Sequence, residues 1–336
     1  MSFLLLIDGS SLLSTSFFGT LPFEYKTAKS EEDYARARKK IMQASEGVYT
    51  NGVYTMVRTL LNLIKNQKPS HIAVAWDLSR ETFRRELYPQ YKAQRGELNF
   101  ELGMQFPMAQ RVLEQMNIIQ FVSSRYEADD LIGTLRSNLS NQIPVVILTK
   151  DQDALQLVNE NVRHWYITNK AKEMYKEVNI NPKNLNLPTG VFEFTPELVE
   201  HFYGVNPLQI IDRKAIEGDV SDNIPGVSGI GEKTSVPLLK HFYSVENIYD
   251  FIEANSQEVV TDLIKSLSIK RSPLKKLIEH KELALLSKKL ATICCEVEEL
   301  STVTLESLKL NINSVGKRQA FEELDFEQLL EPDTVA

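Results

Sequence analysis

Leu4-Leu5-Leu6-Ile7-Asp8 is a short apolar run that stops on a carboxylate, and the pattern returns at Ala73-Val74-Ala75-Trp76-Asp77 and Val146-Ile147-Leu148-Thr149-Lys150-Asp151. Continuous apolar runs of this length, bounded by polar residues, read as strands buried on both faces. They predict strands over 3–7, 71–76, 118–122 and 144–149, with a weaker one at 162–167. Helical patterns fill the gaps, with Val53, Val57, Leu60, Leu61 and Ile64 on one stripe and Leu131, Ile132 and Leu135 on another. Strand and helix in alternation predict a parallel α/β sheet with right-handed crossovers.

In such a sheet the carboxyl ends of the strands face the ligand crevice. Asp8, Asp77 and Asp151 are therefore expected at one rim, joined by Asp153 and by Glu127-Ala128-Asp129-Asp130 at a helix start. One Asp after a strand is ordinarily a turn former or a cap. Acids at three strand ends, with a DxD and an ExDD, are not explained by independent capping. Clustered carboxylates repel one another and need counter-charge. Mg²⁺ suits a few carboxylates with waters and a substrate phosphate, and two such ions ~4 Å apart serve phosphodiester displacement. The five His show no metal-ligand spacing. A haloacid-dehalogenase-type phosphotransferase would need Asp where Ser10 stands.

Composition agrees with a soluble globular chain. Of 336 residues 43% are hydrophobic, too many for wholesale disorder, and no apolar run approaches a membrane span. Met1-Ser2-Phe3 lacks a basic signal-peptide start. Two adjacent cysteines, Cys294 and Cys295, build no disulfide framework, so a reduced, cytoplasmic setting is expected. The net charge of −7 argues at first against nucleic acid, but residues 265–289 carry +6 and residues 80–95 carry +3. Setting aside the nine suspected metal ligands leaves 36 acids against 38 basic residues, so an acidic site and a basic face can coexist.

Beyond Pro196 the pattern is helical, with helices expected at 197–203, 207–216, 238–251, 257–267 and 273–290. The boundary is expected between Asn181 and Pro196, where Pro182, Pro188 and Gly190 interrupt regular structure. Residues 24–46 are polar, with a helix expected from Ser30 to Ala44 that projects from the body. Ile224-Pro225-Gly226-Val227-Ser228-Gly229-Ile230-Gly231-Glu232-Lys233-Thr234 joins two helical stretches. Glu232 stands where an NTPase phosphate loop needs Lys, and no strand precedes it. A helix–hairpin–helix fits better: Gly229 and Gly231 permit a tight turn whose N–H groups meet a DNA phosphate, with Lys233 adding charge. Asp219 and Asp222, just upstream, could join the acids if their loop packs on the sheet rim.

These anchors, with Thr82-Phe83-Arg84 and Tyr91-Lys92-Ala93-Gln94-Arg95, resemble in order the 5′-nuclease domain of bacterial DNA polymerase I and its stand-alone relatives, the 5′–3′ exonuclease/flap endonuclease superfamily. The resemblance runs from about Phe3 to Leu300 and implies a free-standing nuclease. It implies a PIN-like sheet domain over 1–190 with a helical arch at about 80–107, a helix–three-turn–helix (helix–hairpin–helix) region over 191–300, and a tail over 301–336 packed on the nuclease domain. It assigns Asp8, Asp77, Glu127, Asp129 and Asp130 to one metal, and Asp151, Asp153, Asp219 and Asp222 to a second, as Mg²⁺ or Mn²⁺. Lys92 and Arg95 are implied to steer the scissile phosphate catalytically. Arg84, Tyr91, Gly229, Gly231, Lys233 and Thr234 are implied to touch DNA, with Tyr91 stacking on a base and K⁺ at the hairpin. The implied partner is a 5′ flap, a nicked or gapped duplex or an RNA-primed strand, met by a monomer among replication or repair proteins near the nucleoid. The alternatives are a non-catalytic structure-specific DNA-binding protein and a PIN-type ribonuclease, the latter short and without the helical half. Two features depart from the family: Lys150 stands where Gly is usual between Thr149 and Asp151, and 24–46 exceeds the usual connection.

Overall fold

Six strands form one sheet in the order β3-β2-β1-β4-β5-β6, in a computed structural model that describes residues 2–45 and 47–330. The strands are β1 (Leu4–Asp8), β2 (His71–Asp77), β3 (Gln120–Ser123), β4 (Val145–Thr149), β5 (Val162–Ile167) and β6 (Val191–Phe194). All neighbours run parallel except β5 and β6, which pair antiparallel. From β1 the chain builds outward to β2 and β3 on one side and to β4 and β5 on the other. The switch point therefore lies between β1 and β4, where ligands bind in open α/β sheets.

β1 and β4 are buried at every residue, as their unbroken apolar sequence requires. One face of the sheet packs under helices Gly9–Thr20, Asn51–Gln67 and Gln105–Gln115, with Leu13, Phe17, Val57 and Leu60 in that core. The other face packs under Ala128–Leu139 through Leu131, Ile132 and Leu135. A separate core serves the helical half. Phe192 and Phe194 of β6 belong to that core, with Ile216, Leu238 and Leu277.

The antiparallel β5–β6 pair was not expected from the sequence. β6 spans only four residues and follows the Pro188 and Gly190 that mark the expected boundary. The expected helix 238–251 is two helices, Glu232–Phe242 and Val245–Ala254, because Tyr243 turns into the left-handed region at φ +72. The expected 273–290 helix likewise divides into Leu274–Glu279 and Lys281–Ala291 at His280.

Residues 24–45 do not project. Helix Glu31–Arg38 is shorter than expected, and Tyr25, Ala37 and Ile41 enter the sheet core. Arg38 Nε and the Tyr25 hydroxyl both bond the buried Glu101 carboxylate, binding this segment to the far end of 80–107. That stretch, where an arch was expected, holds helices Phe83–Leu87 and Phe100–Gly103, turns over 89–94 and the start of helix Gln105–Gln115. Ala320, Phe321, Phe326 and Leu329 return to the sheet core, and residues 331–336 of the expected tail lie outside the described residues.

Candidate active site

Asp8 ends β1 and caps the helix that follows, its Oδ1 accepting from Ser11 N at 2.8 Å. The Thr149 hydroxyl, at the end of β4, donates to Asp8 Oδ2 at 2.8 Å and accepts from Asp151 N at 3.0 Å. Adjacent strand registers thus lock Asp8 and Asp151 at the switch point. Asp77 is tied in twice: its N–H donates to Ser10 Oγ at 2.9 Å, and its Oδ1 accepts from Ala128 N at 2.9 Å. That second bond presses the start of helix Ala128–Leu139, and with it Asp129, against the rim. A cleft of about 680 Å³ opens here, lined by Asp8, Asp77, Asp151, Asp153 and Asp219 among others.

Electrostatics divides the nine expected ligands into three groups. Asp8, Asp77, Asp129 and Asp151 repel one another. Burial, followed by the charge of Asp77, pushes Asp8 up to about 7. Burial, then Asp151 and Asp8, holds Asp129 well above the ordinary carboxylate range. Asp151 is also raised by burial, although Lys214 opposes the shift.

The second group is neutralised internally. Lys92 Nζ pairs with Glu127 Oε1 at 2.9 Å and with Asp222 Oδ2 at 3.5 Å, and Arg95 Nη2 bonds Asp222 Oδ1 at 2.7 Å. Lys214 Nζ bridges Asp153 and Asp219, the latter at 2.6 Å. Burial would raise Asp219, but Lys214 and the Ser221 N–H and hydroxyl outweigh it and hold the group at about 2.

Asp130 stands alone in the third group and corrects the expectation of a metal ligand. It is fully buried, and its two oxygens accept from Arg84 Nη1 and Nη2 at 2.7 and 2.8 Å, from Glu127 N at 3.0 Å and from Cys294 N at 2.8 Å. No lone pair is left facing the cleft. Arg84 is buried with it and also donates to the Leu290 and Thr292 carbonyls, so it does not present a guanidinium to DNA. Tyr91 differs from expectation as well. It is 3% exposed, with its hydroxyl 3.1 Å from both Glu127 Oε2 and Asp222 Oδ2, leaving no ring face for a base.

Lys92 and Arg95 meet at Asp222, though by turns and not by helical spacing. Lys92 adopts φ +53, and its N–H donates to the Asp222 carbonyl at 2.9 Å. Burial opposes the Lys92 charge, yet Glu127, Tyr91 and Asp222 raise its pKa well above the usual lysine value. The sequence reading missed Lys214; its signal was a position on the expected 207–216 helix, five residues before Asp219.

The donor set suits a hard divalent cation: carboxylate oxygens, largely desolvated, with too little positive charge beside Asp8 and Asp129. The acids share one rim without closing into a coordination shell. Among the described residues, no group of three His, Cys, Asp or Glu side chains is arranged to hold a metal ion.

The hairpin joins helix Ile210–Glu217 to Glu232–Phe242. Four residues of this connection take positive φ: Gly218 (φ +77), Asn223 (φ +55), Gly226 (φ +59) and Gly229 (φ +71). A Cβ on Gly226 would fall 2.2 Å from Gly218 N, a contact only glycine avoids. Gly231, expected to shape the turn, is instead the extended residue before helix Glu232–Phe242. Lys233 and Thr234 lie in the first turn of that helix, and Lys276 Nζ stands over Gly229.

Comparison with known proteins agrees with this architecture. Residues 3–184 match the family described as 5′-3′ exonuclease, N-terminal resolvase-like domain, and residues 205–315 match 5′-3′ exonuclease, C-terminal SAM fold. A 5′-3′ exonuclease of Halalkalibacterium halodurans is 34% identical, covering 91% of this chain and 88% of that protein. DNA polymerase I of Bacillus subtilis is 34% identical over 98% of this chain, but only 32% of the polymerase is matched. The chain thus spans about a third of such relatives. Among solved structures, T5 5′-exonuclease with bound zinc ions has the same fold at a TM-score of 0.60, with 20% identity over 95% of this chain and 98% of that one. The catalytic core of Rad2 in complex with DNA substrate gives 0.54, with 14% identity over 98% and 92%. With both domain matches in order and a full-length relative above 30% identity, the chain belongs to the 5′–3′ exonuclease family.

Proposed function

We propose that this chain is a Mg²⁺-dependent 5′-nuclease that hydrolyses phosphodiester bonds near the 5′ end of branched, nicked or RNA-primed DNA in the cytoplasm. The observation that carries the reading is the group of Asp8, Asp77, Asp129 and Asp151, gathered at the switch point with Asp8 raised to about 7. A folded protein keeps such repulsion where a ligand relieves it. A non-catalytic DNA-binding protein has no use for that repulsion, and the helical half with its hairpin argues against a PIN-type ribonuclease.

Asp8, Asp77, Asp129 and Asp151 would hold one divalent cation, and Glu127, Asp153, Asp219 and Asp222 lie beside it for a second once their lysine and arginine partners turn away. Bound cations supply Lewis-acid stabilisation of the phosphate and a lowered pKa for attacking water. The protein's own part is orientation. Ser11 and Thr149 fix both Asp8 oxygens, and Ala128 N fixes Asp77. Lys92 and Arg95, released from Asp222, would exchange a carboxylate for the substrate phosphate and stabilise the charge developing on it. The hairpin would grip a duplex backbone through helix Glu232–Phe242 and Lys233. K⁺ at the hairpin is part of the proposal, and it requires the Lys276 ammonium over Gly229 to turn away, since two cations there repel.

The test uses 5′-labelled flap, nicked-duplex and single-stranded DNA, each with Mg²⁺ or chelator. Short labelled products from the flap or nick with Mg²⁺ alone support the reading, and none from any substrate contradicts it.

A further inference from the structure

A second cavity, of about 860 Å³, adjoins the acid cleft and shares Ser11, Ser14, Lys150, Gln152 and Tyr166 with it. It runs from the end of helix Gly9–Thr20 to the loops beyond β5 and before β6. Its chemistry is the reverse of its neighbour's. No Asp or Glu lines it, whereas five aspartates line the cleft. Lys150 and Lys170 are both exposed on its walls. Hydroxyls surround them, and aromatic rings complete the lining: Phe18, 50% exposed, with Tyr166 and Tyr203 half-buried. The Tyr166 ring is steadied by a 2.9 Å bond from Gln152 Nε2 to its hydroxyl.

Ammonium groups with hydroxyls suit a phosphate, and exposed aromatic faces suit a base. The volume falls in the ~300–1,000 Å³ range of sites for small organic molecules. Lys150 decides where the phosphate lies. It follows Thr149 at the end of β4, and its N–H is fixed on Ser11 Oγ at 2.9 Å, so the side chain stands on the ridge between acids and groove. Lys150 lines both the groove and the cleft that holds Asp151.

We propose that this groove is a nucleotide subsite, which takes the nucleotide adjoining the scissile phosphate of a DNA strand, with its phosphate on Lys150 and Lys170 and its base against Phe18 and Tyr166. The inference rests on the nuclease reading and deepens it: strand recognition continues beyond the metal-ligand candidates, across β4 and β5. It also gives a purpose to the lysine that stands where the family pattern has glycine.

The test separates the two readings. A 5′-flap DNA carries 2-aminopurine on either side of the cleaved bond, and binding is followed in Ca²⁺ with salt varied. The wild-type protein should quench the fluorophore on one side of that bond, and Phe18→Ala should abolish that quenching while weakening binding about tenfold, within the range of one base–aromatic stack. Lys150→Ala/Lys170→Ala should lower the slope of log affinity against log salt by about 1.4–1.8, as two lost phosphate contacts require. Both lysines are exposed, so this variant keeps its fold, and Lys150→Glu should weaken binding further. Unchanged quenching in Phe18→Ala, or an unchanged salt slope in the double variant, overturns the subsite. Cleavage by the wild-type protein in Mg²⁺ is scored separately: if it fails, the nuclease reading fails, and if it holds while the variants bind normally, only the subsite is lost.

Discussion

Arg84 and Asp130 form a bidentate pair, Nη1 to Oδ2 at 2.7 Å and Nη2 to Oδ1 at 2.8 Å, with neither side chain more than 3% exposed. It joins the start of the 80–107 stretch to helix Ala128–Leu139 and, through the Leu290 and Thr292 carbonyls, to the helical half. Removing one partner of such a pair leaves a buried charge uncompensated, at a cost of about 3–5 kcal/mol. Arg84→Ala should therefore lower stability by that amount in urea melts, and Arg84→Met/Asp130→Leu should recover most of it. A normal melt with weakened DNA binding would return Arg84 to the DNA interface.

Asp8 makes the metal-free protein sensitive to pH. Its folded pKa, about 7, lies above the ordinary 3.8. The folded state therefore holds the extra proton between those values, and the stability linked to Asp8 is complete below about pH 4 and lost as pH rises through about 7. Asp8→Asn should remove this dependence and raise the Tm of the metal-free protein at pH 8 by at least ~2 °C. Melts across pH 5–8 in chelator provide the check; parallel curves for the two proteins would contradict it.

Lys214 substitutes for a cation between Asp153 and Asp219, all three less than a fifth exposed. With Asp219 held at about 2, the contribution of this contact is present above pH ~4 and lost as pH falls through about 2. Lys214→Ala should cost about 2 kcal/mol in chelator at pH 7, less than a fully buried pair. Divalent metal should replace the missing charge and narrow the deficit. An equal deficit with and without Mg²⁺ would show that no metal reaches these two acids.

The sheet and its acidic rim were legible because buried parallel strands have unbroken apolar sequences, and their ends fix where Asp8, Asp77 and Asp151 must lie. Side-chain partners were less so. Asp130 and Asp129 are adjacent in sequence, yet helical geometry turns one into the core against Arg84 and leaves the other at the rim. Tyr91 carries a polar tip and an apolar body, and only the packing decides which faces solvent. The two missed helix breaks, at Tyr243 and His280, involve neither Pro nor Gly, the residues on which sequence reading of helix ends depends.

At the hairpin, Lys233 stands in the first turn of helix Glu232–Phe242, where the dipole already favours phosphate. Lys233→Ala should weaken duplex binding alike across unrelated sequences and lower the salt slope by about 0.9. Sequence-dependent loss would mean that this helix reads bases, and an unchanged slope would remove Lys233 from the interface.

If the uncompensated acids at the switch point bind a divalent cation, cleavage depends on that cation. The most direct measurement pairs Mg²⁺ titration calorimetry with single-turnover cleavage of a 5′-flap duplex, for the wild-type protein and for Asp129→Asn/Asp151→Asn. The wild type should bind Mg²⁺ and cleave, the variant should lose both, and flap binding in Ca²⁺-free chelator should be retained or tightened as two negative charges are removed. Cleavage by the variant at the wild-type rate, or cleavage by either protein in chelator, would contradict that dependence.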